Sequence, residues 1–324
     1  MNRFLLLVLA CYLLPHHLNA QCCSPGNPIG GTAALGVNDA ETWRFFATYR
    51  YGYAGRYFEG SQLSSTAFIE DGTFNHSGIN LSYGLTERLT VEAETGFFIN
   101  KTQRYVEGIL PAEQTGRGLT DLNILIRLNL WRDLVKDWEL SAGLGFKAPL
   151  GNAQQTDGGA ILPRDLQPTT GAYDLVQTLF LYRGFGKFRT FVSTRLELKG
   201  MSIDQYRYGH FFTVSAFQSY AFSERWVLIN QLRGEFRGRD SRPSTGVGIQ
   251  IEGDRELILP TGSQKLFWVP QLSYSFSPKM QLSLMAELPL FQHYNDRQLG
   301  SSFAAMLILG YSFGKKQMNS LQIR

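Results

Sequence analysis

The chain has 324 residues, of which 18% are charged and 13% aromatic, with 33 glycines and a formal net charge of +4. That is poor in charge beside a typical soluble domain, yet the mean hydropathy is only −0.15. A helical membrane protein of this size would carry several apolar runs of about 20 residues; the one long apolar run here is at the N-terminus, which leaves the composition expected of a membrane β-barrel.

That first run reads as a secretory signal. Asn2-Arg3 gives a basic start, Phe4 to Leu14 a short apolar core, and Ala20 a small residue at the cut. Cleavage after Ala20 removes one arginine, Arg3, and lowers the net charge from +4 to +3. So small an excess predicts no nucleic acid or other polyanionic partner. Val8-Leu9-Ala10-Cys11 has the outline of a lipid-attachment motif, but the apolar run before it is too short and the run after it too long, and Gln21 is a poor residue to precede an attached Cys22. The adjacent Cys22-Cys23 lacks a C-x-x-C metal spacing. In an oxidising compartment it reads as a vicinal disulfide or an exposed pair. Residues 21–41, rich in Gly, Pro, Ala and Asn, have no strand period. They form an irregular arm expected at or inside the periplasmic mouth of the barrel.

From residue 42 the chain alternates, and successive strand residues point to opposite faces. Trp43, Phe45, Ala47, Tyr49, Tyr51 and Tyr53 interleave with Arg44, Phe46, Thr48 and Arg50. The pattern recurs over 75–85, 89–100, 119–131, 138–149, 172–183, 188–199, 208–222 and 226–238, with the register of 172–183 the least clean. It closes with 264–276, 280–291 and a run ending at Phe313. Leu266, Trp268 and Leu272 share one face of the first, Met280, Leu284 and Leu288 of the second, and Phe303, Leu307 and Leu309 of the third. The other faces hold Gln271, Ser273, Gln281, Ser283, Glu287 and Ser312. Leucine and aromatics opposite serine, glutamine and glycine suit a sheet with lipid on one side and water on the other.

The count is about twelve strands, even as in bacterial single-chain barrels. Short links at 86–88, 132–137, 184–187, 223–225 and 277–279 alternate with longer ones at 54–74, 101–118, 151–171, 200–207, 239–263 and 292–300. Short periplasmic turns and long external loops are the outer-membrane pattern. Aromatics gather at both ends: Tyr83, Trp131, Trp138, Phe188, Phe222, Trp226, Phe276 and Phe313 by the short turns, and Tyr51, Tyr53, Phe97, Tyr208, Trp268, Phe291 and Phe303 by the long loops. Two such belts are what interfacial anchoring predicts. The predicted fold is therefore all-β, a transmembrane antiparallel barrel over 42–313, with a signal at 1–20, the arm at 21–41 and a tail at 314–324.

On these registers the inner face carries Arg44, Arg50, Arg127, Lys147, Arg189, Arg195, Lys199, Arg233, Arg237 and Lys265 together with Glu92, Glu94, Asp121, Glu139, Asp174, Glu197, Glu235 and Glu287. Charges of this number need water or close pairing. They line a pore whose opposed signs confer selectivity, or they form an ion-paired network that fills a closed barrel. Eight strands can fill with side chains and 16–18 leave an aqueous channel, so about twelve lies between. Phe46, Phe98, Phe191, Phe267, Met285 and Phe291 fall on the same inward parity and would suit an amphipathic solute or packing against the arm.

Three segments carry a resemblance: LGFKAPLG at 144–151, LPRDLQPTTG at 162–171 with Tyr173-Asp174 after it, and ELPLFQHYNDRQLG at 287–300. With these the chain resembles bacterial outer-membrane proteins described as transporters of the meta-pathway of phenol degradation, and is distantly similar to the fatty-acid and aromatic-hydrocarbon channels. Leu150 stands where that family more often has Thr, so no binding role is carried onto its loop. The start Cys22-Cys23-Ser24-Pro25-Gly26 looks like members from the Bacteroidetes. The resemblance implies a barrel with a transport role and no particular substrate.

Catalysis has thin support. A hydrolase needs a nucleophile, a base and an orienting group within reach. His76 precedes Ser77 with opposite parity, His210 lies near Ser215 with opposite parity, and His293 shares a polar stretch with Asp296. No metal spacing and no cofactor motif is present, so no cofactor and no enzyme activity is expected. The expectation is a monomeric or weakly oligomeric outer-membrane channel, in contact with lipid and passing small solutes down a gradient. A structural or binding barrel is the alternative, and an outer-membrane hydrolase the third reading.

Overall fold

The computed structural model describes residues 36–65, 68–108, 111–133, 135–244, 251–252 and 254–314. The signal segment, most of the arm, Cys22-Cys23 and residues 315–324 lie outside them. Twelve strands run in chain order around a closed wall: β1 Thr42–Ala54, β2 Ile69–Thr86, β3 Leu89–Tyr105, β4 Asp121–Asp133, β5 Trp138–Pro149, β6 Asp174–Phe185, β7 Phe188–Leu198, β8 Phe211–Ala221, β9 Trp226–Arg237, β10 Ser263–Ser277, β11 Met280–Gly300 and β12 Phe303–Gly314. Each pairs antiparallel with the next, and β12 returns to β1 from Thr42↔Gly314 to Tyr53↔Phe303. Closure leaves the wall without an edge, so its backbone groups are satisfied internally, which a lipid environment requires.

Alternation in sequence becomes alternation in exposure. Along β10, Ser263, Lys265, Phe267, Val269, Gln271 and Ser273 are buried, while Leu266, Trp268 and Leu272 are exposed on the outside. In β4, Asp121, Asn123, Leu125, Arg127 and Asn129 point in, and Ile124, Ile126, Leu128 and Leu130 point out. The outward aromatics stack into belts. Trp43–Tyr83, Phe188–Tyr220 and Trp226–Tyr274 lie within 4.4–4.8 Å at the short-turn end. Phe146–Tyr173 and Tyr51–Phe303 lie at 5.3 and 5.8 Å at the other. Tyr208 is not in that belt: it precedes β8 in its loop and packs edge-on against Tyr206.

Two β-bulges correct the predicted parity. Phe98 opposes His76 and Asn100 opposes Asn75, so Ile99 is an extra residue. Phe98 and Lys101 both point inward as a result, and Lys101, expected in a loop, belongs to the wall. Phe291 opposes Leu266 and Pro289 opposes Phe267, so Leu290 is extra. Phe291, expected inside, is 48% exposed beside an exposed Leu290, and Gln292 and Tyr294 turn inward. One added residue inverts every face beyond it.

The long connections are also more ordered than expected. Stretch 292–300 continues β11 and pairs with a short strand, Arg56–Gly60. Glu113–Leu119 pairs with the upper part of β3. These segments pair above the apolar band, so the two-faced pattern that marks the wall is absent from them. The connection between β5 and β6 folds inward: Leu162, Leu166, Gln167 and Thr169 are buried around the 3-10 turn Arg164–Leu166. Lys101 Nζ donates to the Gln167 carbonyl at 3.1 Å and holds this loop in the upper mouth.

Candidate functional site

The lumen is the candidate site, and its charged residues fall into three groups. The first spans the barrel between β1 and β9, four strands apart along the wall. Glu287 on β11 accepts from Arg50 Nη2 at 2.6 Å and from Arg233 Nη2 at 2.7 Å, and Arg233 also lies 2.9 Å from Glu235. Each guanidinium rests over a ring, Arg50 over Phe74 and Arg233 over Phe267, both at 4.9 Å. The second group joins β2, β3 and β4: Glu92 accepts from Arg127 Nε and from Asn80 Nδ2, each at 2.9 Å. In the third, on β4 to β7, Lys147 lies 2.8 Å from Asp121 and 3.1 Å from Asp174, and Lys199 lies 2.9 Å from Asp174. Glu197 receives Lys199 and, at 2.8 Å, Arg195, which also donates to Asn123.

The sequence-predicted residues thus share one interior but not one cluster. Arg50, Arg233, Glu235 and Glu287 meet; Glu92 and Arg127 meet; Lys147, Arg195 and Glu197 meet. Glu94 is half-buried on the inner face of β3 between the second and third groups. Arg237 sits with its guanidinium 5.4 Å from the Phe211 ring. Arg44 and Arg189 line a separate, lower chamber.

That chamber, of about 590 Å³, opens at the short-turn end. The last residues of the arm enter it. Asn38 is buried, donating from its backbone to Thr90 Oγ1 at 2.8 Å and from Nδ2 to Ser82 Oγ at 2.9 Å. A second cavity, of about 80 Å³, lies toward the long loops between Phe74, Lys101, Asp165, Lys265, Phe267 and Leu299. Among the described residues none lines both. Between them the buried Phe46, Phe267, Val269, Met285, Met306 and Ile308 pack into one apolar cluster on β1, β10, β11 and β12, beside the Arg50–Glu287–Arg233 bridge. Arginine carries its charge on a planar fork suited to such bridges.

Sequence reasoning missed two residues of the upper cavity. Lys101 was hidden by the bulge at Ile99. Asp165 sits in a loop without period, although the continued alternation of Lys101 and Gln103 is a signal for the first. Burial pushes the Asp165 carboxyl up to about 6, against the pull of Lys101. In the loop after β9, burial likewise raises the Asp240 carboxyl, although it accepts from Tyr206 and from the Gly209 backbone.

The histidines are dispersed. His76 is buried edge-on against Phe98. His210 Nδ1 accepts from the Lys199 backbone at 2.9 Å. His293 Nδ1 meets Ser61 Oγ at 2.9 Å on the exposed surface rather than Asp296. Among the described residues no three His, Cys, Asp or Glu are grouped to hold a metal.

A closed up-and-down barrel of twelve strands, apolar outside and ionised inside, defines the class: a transmembrane β-barrel with the fold of outer-membrane channels. An outer-membrane channel from Pseudomonas putida F1 shares it at a TM-score of 0.64 and 16% identity, over 86% of this chain and 97% of that one. The monoaromatic hydrocarbon channel TodX, as a deletion mutant, aligns at 0.48 and 11% identity over 92% and 96% of the two chains. The NanC porin aligns at 0.44 and 8% over 85% and 100%. At these identities the likeness is one of fold. No protein-family model matches the chain, and no curated protein does.

Proposed function

We propose that the protein is an outer-membrane channel through which small solutes pass down their gradient. The observation that carries this reading is the placement of two chambers along the inside of a lipid-facing barrel, separated by an ion-paired and apolar waist. A purely structural wall has no use for a vestibule of about 590 Å³ below a bridge of opposed charges. Arg44 and Arg189 then act at the lower entrance, the Arg50–Glu287–Arg233 bridge at the waist, and the three ion-paired groups together set the field along the lumen. Kinship with transporters of the phenol meta-pathway type fits the same reading and rests on the three segments at 144–151, 162–171 and 287–300. Export through a signal cleaved after Ala20 belongs to it as well, as does a monomer or weak oligomer bounded by lipid.

The packed waist favours one second reading, a barrel that binds or braces without conducting. Refolded protein in planar bilayers, with liposome swelling across sugars, organic acids and phenolics, separates the two. Discrete conductance steps and swelling with some solutes are expected. Absence of both would overturn the channel reading and leave the second.

A further inference from the structure

The upper cavity contains more positive charge than its own partners neutralise. Arg50 and Arg233 are matched by Glu287 and Glu235. Lys101 and Lys265 are not: each is buried, at 4% and 8% exposure, and among the described residues neither has a carboxylate within 4.0 Å. Lys101 has the Gln167 carbonyl and the Phe98 ring, and Lys265 lies over the Tyr294 ring at 5.4 Å. A buried ammonium without a counter-ion is costly. Asp165, on the inward-folded loop, lies near both and bridges to neither, while Glu235, opposite Lys265 across the strand pair, is taken by Arg233 and Asp121, which faces Lys101, is taken by Lys147. Around this pair the walls are apolar and aromatic: Phe74, Leu166, Phe267, Leu299 and Phe303.

We infer that Lys101 and Lys265 form a binding site for the carboxylate of a small amphipathic solute, with the apolar walls taking its hydrocarbon body and Asp165 acting as the chain's own competitor. The assignment rests on the channel reading and names its solute class. At roughly 10–15 Å³ per water-sized group, a cavity of about 80 Å³ takes a carboxylate of about six non-hydrogen atoms, such as butyrate. The carboxylate supplies the counter-ion both lysines lack, and the amide of the same shape does not.

The test is calorimetric titration of the full refolded barrel in detergent with butyrate and with butyramide, which reads binding whether or not the protein conducts. Butyrate is expected to bind at least about tenfold tighter than butyramide, the worth of about 1.4 kcal/mol. K101Q/K265Q should abolish that preference, and D165N should raise butyrate affinity several-fold. D165N lies in an external loop and tests the site even where the double variant fails to fold. Equal binding of the two probes to wild type, or a D165N affinity at or below wild type, would overturn the assignment. Conductance without a preference for butyrate would sink this site and leave the channel intact; a preference without conductance would do the reverse.

Discussion

Removing Glu287 should loosen the barrel at its waist. Its side chain is 4% exposed, and it is the carboxylate to which both Arg50 and Arg233 converge, at 2.6 and 2.7 Å. Glu287→Ala leaves two buried guanidinium groups sharing what remains. Arg233 keeps Glu235 at 2.9 Å, and Arg50 keeps the Phe74 ring. Breaking a buried pair by deleting one partner costs about 3–5 kcal/mol, because the surviving charge stays desolvated. Glu287→Gln keeps one acceptor oxygen and loses the charge assistance, which is worth about 1.5–3 kcal/mol per hydrogen bond to a charged group. Replacing both members, as in Arg50→Met with Glu287→Leu, should cost less than Glu287→Ala alone, since it removes the desolvation penalty together with the attraction. Equilibrium unfolding in guanidinium from lipid vesicles, followed by tryptophan fluorescence, gives the three values. A loss under about 1 kcal/mol for Glu287→Ala, or a double variant less stable than the single one, would refute the claim that the bridge is a buried charge network.

Three further outcomes are expected. A Cβ at Gly84 would stand 2.0 Å from the Asp39 carbonyl oxygen and 3.1 Å from that of Asn38. Gly84→Ala should therefore expel residues 36–39 from the lower chamber, cost on the order of 1–3 kcal/mol and raise single-channel conductance; unchanged conductance would show that this strand of the arm does not narrow the path. A Cβ at Gly116 would stand 1.9 Å from the Leu166 carbonyl oxygen, so Gly116→Ala should lift the 3-10 turn from the upper mouth and expose 151–173 to protease, which limited proteolysis reads. Anion preference should rise as pH falls from about 7 to 5. The Asp165 carboxyl, held up to about 6 by burial and faced by Lys101, Asp240, Arg237 and Lys265, takes up a proton there and leaves the cavity more positive. Reversal potentials in a potassium chloride gradient measure this, and Asp165→Asn should remove most of the change near pH 6.

The wall was legible because lipid imposes a strict rule on it. Every second residue of β4 or β10 must be apolar, so parity alone separates Leu266 from Lys265 and Ile126 from Arg127. The rule has two blind spots. It assumes that no residue is added within a strand, and Ile99 and Leu290 break that assumption by opposing no residue of the neighbouring strand. Nothing in their apolar character marks them, since an extra apolar residue facing lipid looks the same as an ordinary one. The rule is also silent above the membrane, where 292–300 pairs with Arg56–Gly60 through a register shift between Tyr294 and Gln298.

The partners of the inner charges were beyond reach for a different reason. Arg50 and Glu287 are neighbours in space only because β12 closes onto β1 and both side chains reach into the interior. Periodicity places a residue on a face; it does not say how far around the wall its partner sits. That second coordinate follows from strand order, which an up-and-down barrel makes sequential. The bridge from β1 through β11 to β9 is therefore derivable once closure is assumed: three long side chains at matching heights, four strands apart, in a barrel narrow enough for them to touch. A wider barrel of the same alternating sequence pattern would leave these charges to water. Their contact shows that strand number, more than the identity of the lining residues, sets how far this lumen is filled.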